Sequence, residues 1–384
     1  MTIAELFNAI QRGEDSLHQF KMNITSADAL AADMTAFSNG AGGRMIIGVD
    51  DDGHIAGLSA DDVRRLNMLI SNAASQNVKP AINPTTENIM TDKGLVMLVD
   101  IPSGINKPYQ DKNGIFWVKS GSDKRKATSR EEIQRMFHKA NLIHADELTV
   151  RGATEADLDL DYFKMFFQRR FNRSIENEKM PLAKILENMR LMADGLLTIS
   201  GVLLFTEAPC FKLPAFIVKA GAFDSTSIST TNYADNRDIT GKLEDVYRQT
   251  VYFILSNLRH QQGGQGFNGK GIPEIPHEAI EELVANALIH RDYFVSASIR
   301  VFIFRDRVEI ISPGCLPNSL TVDNIKSGAS IIRNPILASY AYNLLPYNGY
   351  GSGIIRALEK YPHIDFLDDK ELNTFKVTMK RTLI

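Results

Sequence analysis

Glu282, Asn286 and His290 stand four residues apart in the stretch EELVANALIHRDY, residues 281–293. On a helix that spacing places a carboxylate, an amide and an imidazole on one face, one turn apart. A carboxylate can act as general base toward water, and an amide oxygen is a suitable hard ligand for Mg2+. Ile280, Leu283, Val284, Ala287 and Leu288 fall on the adjoining stripe, which faces the core. Asn is a mediocre helix former, so its place mid-helix asks for a reason beyond propensity. The plainer reading is a capped amphipathic helix whose His290 favours the negative end of the helix dipole.

A second candidate is NGYGSGIIR, where Gly349, Gly351 and Gly353 precede a helical pattern. Free N–H groups at such a helix start can face an anion. Two other glycine-bearing stretches carry less. In GGQGFNGKG, Gly264 and Gly269-Lys270 have the spacing of a phosphate-binding P-loop. Gly271, however, stands where a Ser or Thr should hold magnesium, and no strand leads in, so a plain loop is expected. GVDDDGHIAG lacks the spacing and distal Glu of a calcium loop and reads as a turn.

The elements that must carry these residues follow from periodicity. Residues 1–142 read as one α+β domain. A short amphipathic helix opens it, followed by a strand in HQFKMNI and a helix in SADALAADMTAFSNG, capped by Ser26 and stopped by Gly40. RMIIGVDDDGHIAGL reads as a hairpin turning at Asp52-Gly53. A helix over 60–76, strands in LVMLVDIP and IFWVKSG, and a helix opened by a Ser129-x-x-Glu132 capping box complete the domain. A linking α/β region, 143–272, follows. It holds the helices LDYFKMFFQRRF and KLEDVYRQTVYFILSNLRH, with GLLTISGVLLF and LPAFIVKAGAF read as apolar strands. Residues 273–384 then give the helix of the opening paragraph, a hairpin turning at Arg305-Asp306, a loop and helix over 319–345, the glycine turn and its helix, and the strand TFKVTMKRT.

Of the 384 residues, 44% are hydrophobic and 23% charged, which describes a soluble globular protein of more than one core. The formal net charge of −3 excludes a polycation, so any nucleic-acid contact must come from a local patch. Residues 105–130 offer one. Lys107, Lys112, Lys119, Lys124, Arg125, Lys126 and Arg130 stand against Asp111 and Asp123, seven minus two, or +5. Tyr109, Phe116 and Trp117 are interleaved with them. Such a patch binds phosphates in a salt-dependent way; the alternative is a solvated hairpin with Trp117 in the core. Cys210 and Cys315 form no metal pattern and read as free thiols of a reducing cytoplasm. No signal peptide and no membrane-spanning run is present, so a cytoplasmic protein is expected.

Four words in fixed order, AIEELVANALIHRDY, RVEIISPGCLP, IIRNPILA and GYGSGIIRALE, resemble the GHKL ATPases, the gyrase- and histidine-kinase-like nucleotide-binding domains. Residues 276–384 look like the divergent, Bergerat-like α/β sandwich of that group, found in many bacterial proteins regarded as transcriptional regulators. The resemblance implies ATP and Mg2+ as cofactors. It implies that Asn286 gives its amide oxygen to the metal and that Glu282 polarises the attacking water. It places His290, Ser312, Gly314, Arg333, Gly349, Gly351 and Gly353 around the nucleotide, with Arg333 sensing phosphate and residues 319–335 acting as a lid. GHKL domains usually carry an Asp where this chain has Ser312; a hydroxyl can accept the adenine hydrogen bond, with less charge.

Toward the N-terminus, GEDSLHQFK, AFSNGAGGRMIIGVDDDGHIAG and FWVKSGSDKRKA resemble the Schlafen-type AlbA domain. The implication is binding of DNA or RNA, with Lys21, Lys107, Lys119, Lys124, Arg125 and Lys126 as contacts. Some Schlafens cleave RNA with three carboxylates. Glu14 matches the first and Asp50 stands for the third, but Gln19-Phe20-Lys21 replaces the usual Glu-Phe-Lys. The expected protein is therefore an ATP-binding regulator, a weak ATPase at most, that couples the nucleotide site to nucleic-acid binding. The alternatives are a metal-dependent RNase of the phage-defence type and an assembly scaffold without catalysis. Related proteins often end in a winged helix, which is not expected after TFKVTMKRTLI. A homo-oligomer is expected by resemblance.

Overall fold

The computed structural model describes residues 2–140, 142–228, 233–261, 271–317, 320–345 and 351–381. Two compact units divide the chain, Met1–Ile143 and His144–Ile384.

The first unit runs α1 (Ile3–Arg12), β1 (His18–Lys21), α2 (Ala27–Asn39), β2 (Gly43–Ile47), α3 (Ala60–Asn72), β3 (Val78–Lys79), β4 (Thr85–Thr91), β5 (Gly94–Ile101), β6 (Gln110–Asp111), β7 (Trp117–Ser120), β8 (Asp123–Lys126) and α4 (Arg130–Lys139). Its main sheet has the order β1-β2-β5-β4, with β1 and β2 parallel and the other pairs antiparallel. Met45, Ile47, Met97 and Val99 pack under α2 and α3. Ile46, Val96 and Leu98 face the other way, onto Leu6 and Ala9 of α1. Both faces are covered, so the strands read as unbroken apolar runs instead of alternating ones.

The expected hairpin over 44–58 is not what RMIIGV forms. β2 lies inside the sheet, and both its edges are taken by β1 and β5, while the chain still reverses at the expected turn and pairs back through the bridge Val49–Ile55 and the bonds Asp50 N to His54 O and Ala56 N to Gly48 O. Asp50 closes the turn, its Oδ1 accepting from the N–H groups of His54 at 2.7 Å and Asp52 at 3.1 Å. The capping box at Ser129 forms by half. Ser129 Oγ accepts from Glu132 N, while the Glu132 carboxylate takes both guanidinium arms of Arg125, at 2.6 and 2.9 Å.

The second unit runs α5 (Leu160–Phe171), α6 (Leu182–Asn188), β9 (Met192–Ala193), β10 (Leu196–Leu197), α7 (Ile199–Phe205), α8 (Pro209–Lys212), β11 (Val218–Ala222), β12 (Asp235–Ile239), α9 (Leu243–Ser256), β13 (His260–Gln261), β14 (Ile272–Pro273), α10 (His277–His290), β15 (Ile299–Ile303), β16 (Arg307–Pro313), α11 (Val322–Lys326), α12 (Pro335–Leu344), α13 (Gly353–Lys360), β17 (Ile364–Asp369) and β18 (Thr374–Lys380). Among the described residues its large sheet has the order β12-β11-β15-β16-β18-β17. Only β11 and β15 are parallel. The stretch 143–272 thus gives two strands and the packed helix α9 to the same sheet and core as 273–384.

GLLTISGVLLF, expected as a strand, is mostly the helix α7. Thr198 caps it, its hydroxyl accepting from Gly201 N at 3.1 Å. All seven residues of α7 are buried, so no polar face marks the helical period, and a short apolar run cannot be told from a core strand by pattern. Gly201 is required by packing, because a Cβ there would stand 2.2 Å from the Leu191 carbonyl oxygen. The aromatic helix α5 closes this part of the core, with Phe163 and Phe166 each 5.0 Å from the ring of Phe205. Asp146, fully buried, caps α12 by accepting from Ile336 N at 2.8 Å and Leu337 N at 2.9 Å. Burial pushes its carboxyl up to about 6 against those two bonds.

A candidate nucleotide cleft in the second unit

α10 begins after Pro276 and packs on α9, β16 and α13. Ile280, Leu283, Val284 and Leu288 are buried, as their spacing predicts, while Ala287 keeps part of its surface. Glu282 is only 9% exposed. Its Oε1 accepts from Asn286 Nδ2 at 2.8 Å, and the same nitrogen donates to the Glu282 carbonyl oxygen at 2.8 Å. The amide nitrogen is therefore turned back along the helix, and Asn286 Oδ1 is directed away from it. Asn286 also lines a cleft. His290, one turn on, retains some accessible surface there, yet protein atoms crowd it. Burial and the Arg333 guanidinium hold its imidazole neutral, with a pKa lowered to about 4.

The end of α10 is built from distant words of the sequence. Asn334 Nδ2 donates to the carbonyls of Ile289 and Arg291, each at 2.8 Å. Arg333 Nη1 donates to the His290 carbonyl at 3.3 Å, and its Nη2 donates to the Cys315 carbonyl. Arg291, fully buried, has its guanidinium 4.6 Å from the Phe216 ring and 4.8 Å from the Tyr293 ring, and it donates to Val295 and Ala297 carbonyls. The RNP word thus satisfies carbonyls at the end of α10, while Arg291 of the HRD word ties down the loop that follows it. Arg333, expected as a phosphate sensor, is 7% exposed and gives its arms to backbone oxygens.

The facing wall comes from β16, the segment after it, and the entry to α13. Ser312 Oγ donates to the Ala287 carbonyl at 3.2 Å, joining β16 to α10. Gly314, at φ +96°, turns the chain where a Cβ would stand 2.4 Å from Cβ of Asp292. The segment 320–333 carries α11, opened by Thr321 and Asn324 in a capping box. Its Gly328 meets Gly351, where a Cβ would come within 2.3 Å of the Gly328 carbonyl oxygen. Gly351 also has φ +71°, a region costly for other L residues. Gly353 opens α13 directly against Glu282. Gly349 lies outside the described residues, as do Gly264, Gly269 and Lys270.

Arg356, which sequence reasoning passed over, closes the group. Its Nη2 meets Glu282 Oε2 at 2.9 Å. The available signal was a lone cation one turn into the helix that follows the glycines. The structure therefore brings together Glu282, Asn286, His290, Ser312, Gly314, Arg333, Gly351 and Gly353 around one cleft. It is narrow, with about 110 Å³ of interior room, against roughly 300–1,000 Å³ for small-molecule sites. As a metal ligand Asn286 fits: both bonds of its amide nitrogen go to Glu282, leaving a hard oxygen. Mg2+ commonly takes its remaining ligands from phosphates and water.

In the first unit the basic stretch is largely occupied. Lys112 meets Asp28 at 2.6 Å, Lys124 meets the buried Asp33 at 2.6 Å, and Arg125 holds Glu132. These acids lie outside residues 105–130, so the local excess of +5 is mostly cancelled in space. Lys107 donates to the Gly40 carbonyl at 2.6 Å. Lys119 donates to the Ser122 carbonyl and sits 4.6 Å from the Phe37 ring, where burial lowers its pKa. Trp117 donates to Asp111 at 2.9 Å and has the ammonium groups of Lys124 and Lys126 over its ring, at 5.9 and 5.4 Å. Tyr109 is buried. Lys126 and Arg130 are exposed and carry no ion pair among the described residues.

Glu14 and Asp50 serve local backbone. Glu14 Oε1 accepts from Phe20 N at 2.7 Å, and Asp50 closes its own turn. Gln19 is buried on β1, its Oε1 without a hydrogen bond among the described residues, and Lys21 ends that strand. No three His, Cys, Asp or Glu side chains converge to hold a metal among the described residues. No described helix is long and apolar enough to cross a membrane.

Residues 14–128 match the family model described as Schlafen, AlbA_2, and residues 296–379 match the model described as "Putative ATP-dependent DNA helicase recG C-terminal". The chain joins a Schlafen AlbA_2 domain to an ATPase-like domain. The second match begins after α10, so it contains Ser312, Gly314, Arg333, Gly351, Gly353 and Arg356 but neither Glu282 nor Asn286. Among solved structures, the DIP2311 protein from Corynebacterium diphtheriae aligns at 20% identity with a TM-score of 0.48, covering 98% of this chain and 80% of that one. The N-terminal domain of a RecG-related protein from Nitrosomonas europaea aligns at 18% identity with a TM-score of 0.25, covering 34% of this chain and 96% of that one. At these values neither speaks to activity. No curated protein matches.

Proposed function

We propose that the second unit binds ATP with Mg2+ in the cleft between α10 and α13, as a GHKL-type site, and that occupancy alters how the AlbA_2 domain holds DNA or RNA. The observation that carries this is the meeting of Asn286 and Glu282 with the Gly351–Gly353 entry to α13, elements 65 or more positions apart in the sequence. In this reading residues 273–384 carry the nucleotide and 143–272 supply supporting strands and helix.

When bound, Mg2+ supplies charge neutralisation between the phosphates. Asn286 Oδ1 would hold it, oriented by the bonds from Asn286 Nδ2 to Glu282. The start of α13 offers N–H groups to phosphate. Ser312 lies toward the base end, at the β16 edge of the cleft. Glu282, buried and one turn from Asn286, would accept the proton of an attacking water. The narrow cleft requires the stretch 320–330, short of the anchored Arg333, to lift from Gly351 before a nucleotide enters. The site then supports binding first and slow hydrolysis at most.

Calorimetric titration with Mg-ATP tests the reading. Wild type should bind, and Asn286→Ala should bind at least about tenfold more weakly, the worth of roughly one lost ligand bond. Equal affinity of the two proteins removes the metal role of Asn286. The coupling is tested by measuring affinity for single-stranded RNA and DNA with and without Mg-ATP; no change in any pairing removes it.

A further inference from the structure

Arg356 is a cleft cation to which the proposed function gives no role, and unlike Arg333 it meets a carboxylate there. Its guanidinium reaches Glu282 Oε2 at 2.9 Å and Ser352 Oγ at 3.1 Å. Glu282 is held on its other oxygen by Asn286 at 2.8 Å. The carboxylate so fixed lies against the first residue of α13. A Cβ on Gly353 would stand 1.6 Å from Oε1, 2.3 Å from Cδ and 2.9 Å from Oε2. The beginning of a helix attracts anions through its free N–H groups and its dipole. An arginine beside it makes that attraction selective for oxyanions. In this cleft the anion paired with that arginine and packed against the first residue of α13 is the protein's own carboxylate.

We propose that Glu282 is an internal stand-in for phosphate, clamped by Arg356, and that a polyphosphate displaces it. The incoming phosphate takes over Arg356 and the start of α13, and Glu282 is released toward the cleft only when the ligand is present. This rests on the nucleotide reading and adds its regulation: the base is withheld from water while the cleft is empty. It also accounts for glycine at 353. Any side chain there would push the carboxylate out of the slot.

Isothermal titration of wild type, Glu282→Gln, Arg356→Gln and the double variant tests it, with inorganic triphosphate in EDTA and with Mg-ATP as separate probes. Circular dichroism melts establish that each variant is folded. Should Arg356→Gln fail to fold, Arg356→Lys carries the same comparison. Removing the carboxylate's charge should tighten triphosphate binding about tenfold, and Arg356→Gln should weaken it by a similar factor. The gain from Glu282→Gln should shrink in the Arg356→Gln background, since no clamp is left to release. Equal triphosphate affinity for wild type and Glu282→Gln, or an equal gain in both backgrounds, overturns the proposal while leaving Mg-ATP binding to stand. Tighter triphosphate binding without any Mg-ATP binding supports the displaced carboxylate and removes the nucleotide reading. No binding of either probe to any variant overturns both.

Discussion

Gly353→Ala should loosen the cleft in a way that depends on Glu282. The new Cβ would stand 1.6 Å from Glu282 Oε1, whereas ordinary contacts lie near 3.5–4.0 Å, so the carboxylate must retreat by about 2 Å. That distance breaks both its 2.8 Å bond from Asn286 and its 2.9 Å pair with Arg356. A hydrogen bond to a charged group contributes about 1.5–3 kcal/mol. The Arg356 side chain is 45% exposed, so its share falls toward about 0–1 kcal/mol. Replacing a helical Gly by Ala returns about 0.5–1 kcal/mol. The net cost should be about 0.5–3.5 kcal/mol, or roughly 1–14 °C in Tm for a unit of this size. The obstacle is the end of a flexible side chain, so removing it should remove the cost. In a Glu282→Ala background, Gly353→Ala should be neutral or slightly stabilising. Gly351→Ala makes the contrast, since its obstacle is the Gly328 backbone oxygen at 2.3 Å and its φ is +71°. It should cost more than Gly353→Ala in either background. Urea unfolding of the variants measures all of this. A Gly353→Ala cost that is the same with and without Glu282 would refute the reasoning.

Three further outcomes follow from the charges. The Asp146 carboxyl titrates near 6 in the folded protein, above its ordinary value of 3.8. The folded state therefore holds the proton more tightly, and this contribution is full below about pH 3.8 and lost as pH rises through 6. It is at most about 3 kcal/mol, and Asp146→Asn should flatten that slope in unfolding measured from pH 4 to 7. His290, with its pKa lowered to about 4, should stay neutral in NMR titrations down to that pH; the stability from keeping it neutral is full above 6.5 and declines as pH falls toward 4. A midpoint near 6.5 would contradict its burial. Lys126→Ala and Arg130→Ala should each weaken RNA or DNA binding and lower the salt slope by about 1, while Lys112→Ala, whose charge is met by Asp28, should change neither in filter-binding assays.

Much of the second unit's site is legible in the sequence, because its parts are local. Glu282 and Asn286 share a face through the helical period alone. The hairpin over 299–313 is set by its alternation and by the turn at Arg305-Asp306. What local pattern misses are stretches whose surroundings erase it. α7 shows no period because every side of it is buried. β2 takes β1 and β5 as neighbours because a central strand is completed by whichever edges the core supplies, not by the nearest residues in sequence.

Residue types and spacing by themselves determined that a carboxylate and an amide would stand together on α10, since a helix repeats every 3.6 residues wherever it lies. Only the tertiary structure decided what those groups meet. Arg356 lies 74 positions from Glu282 and Lys124 lies 91 from Asp33, and neither pairing leaves a trace in a local window. Charge adds along a sequence, but it acts through space over a few ångströms. A run of +5 can thus be largely cancelled by acids folded against it, and one cation can close a cleft.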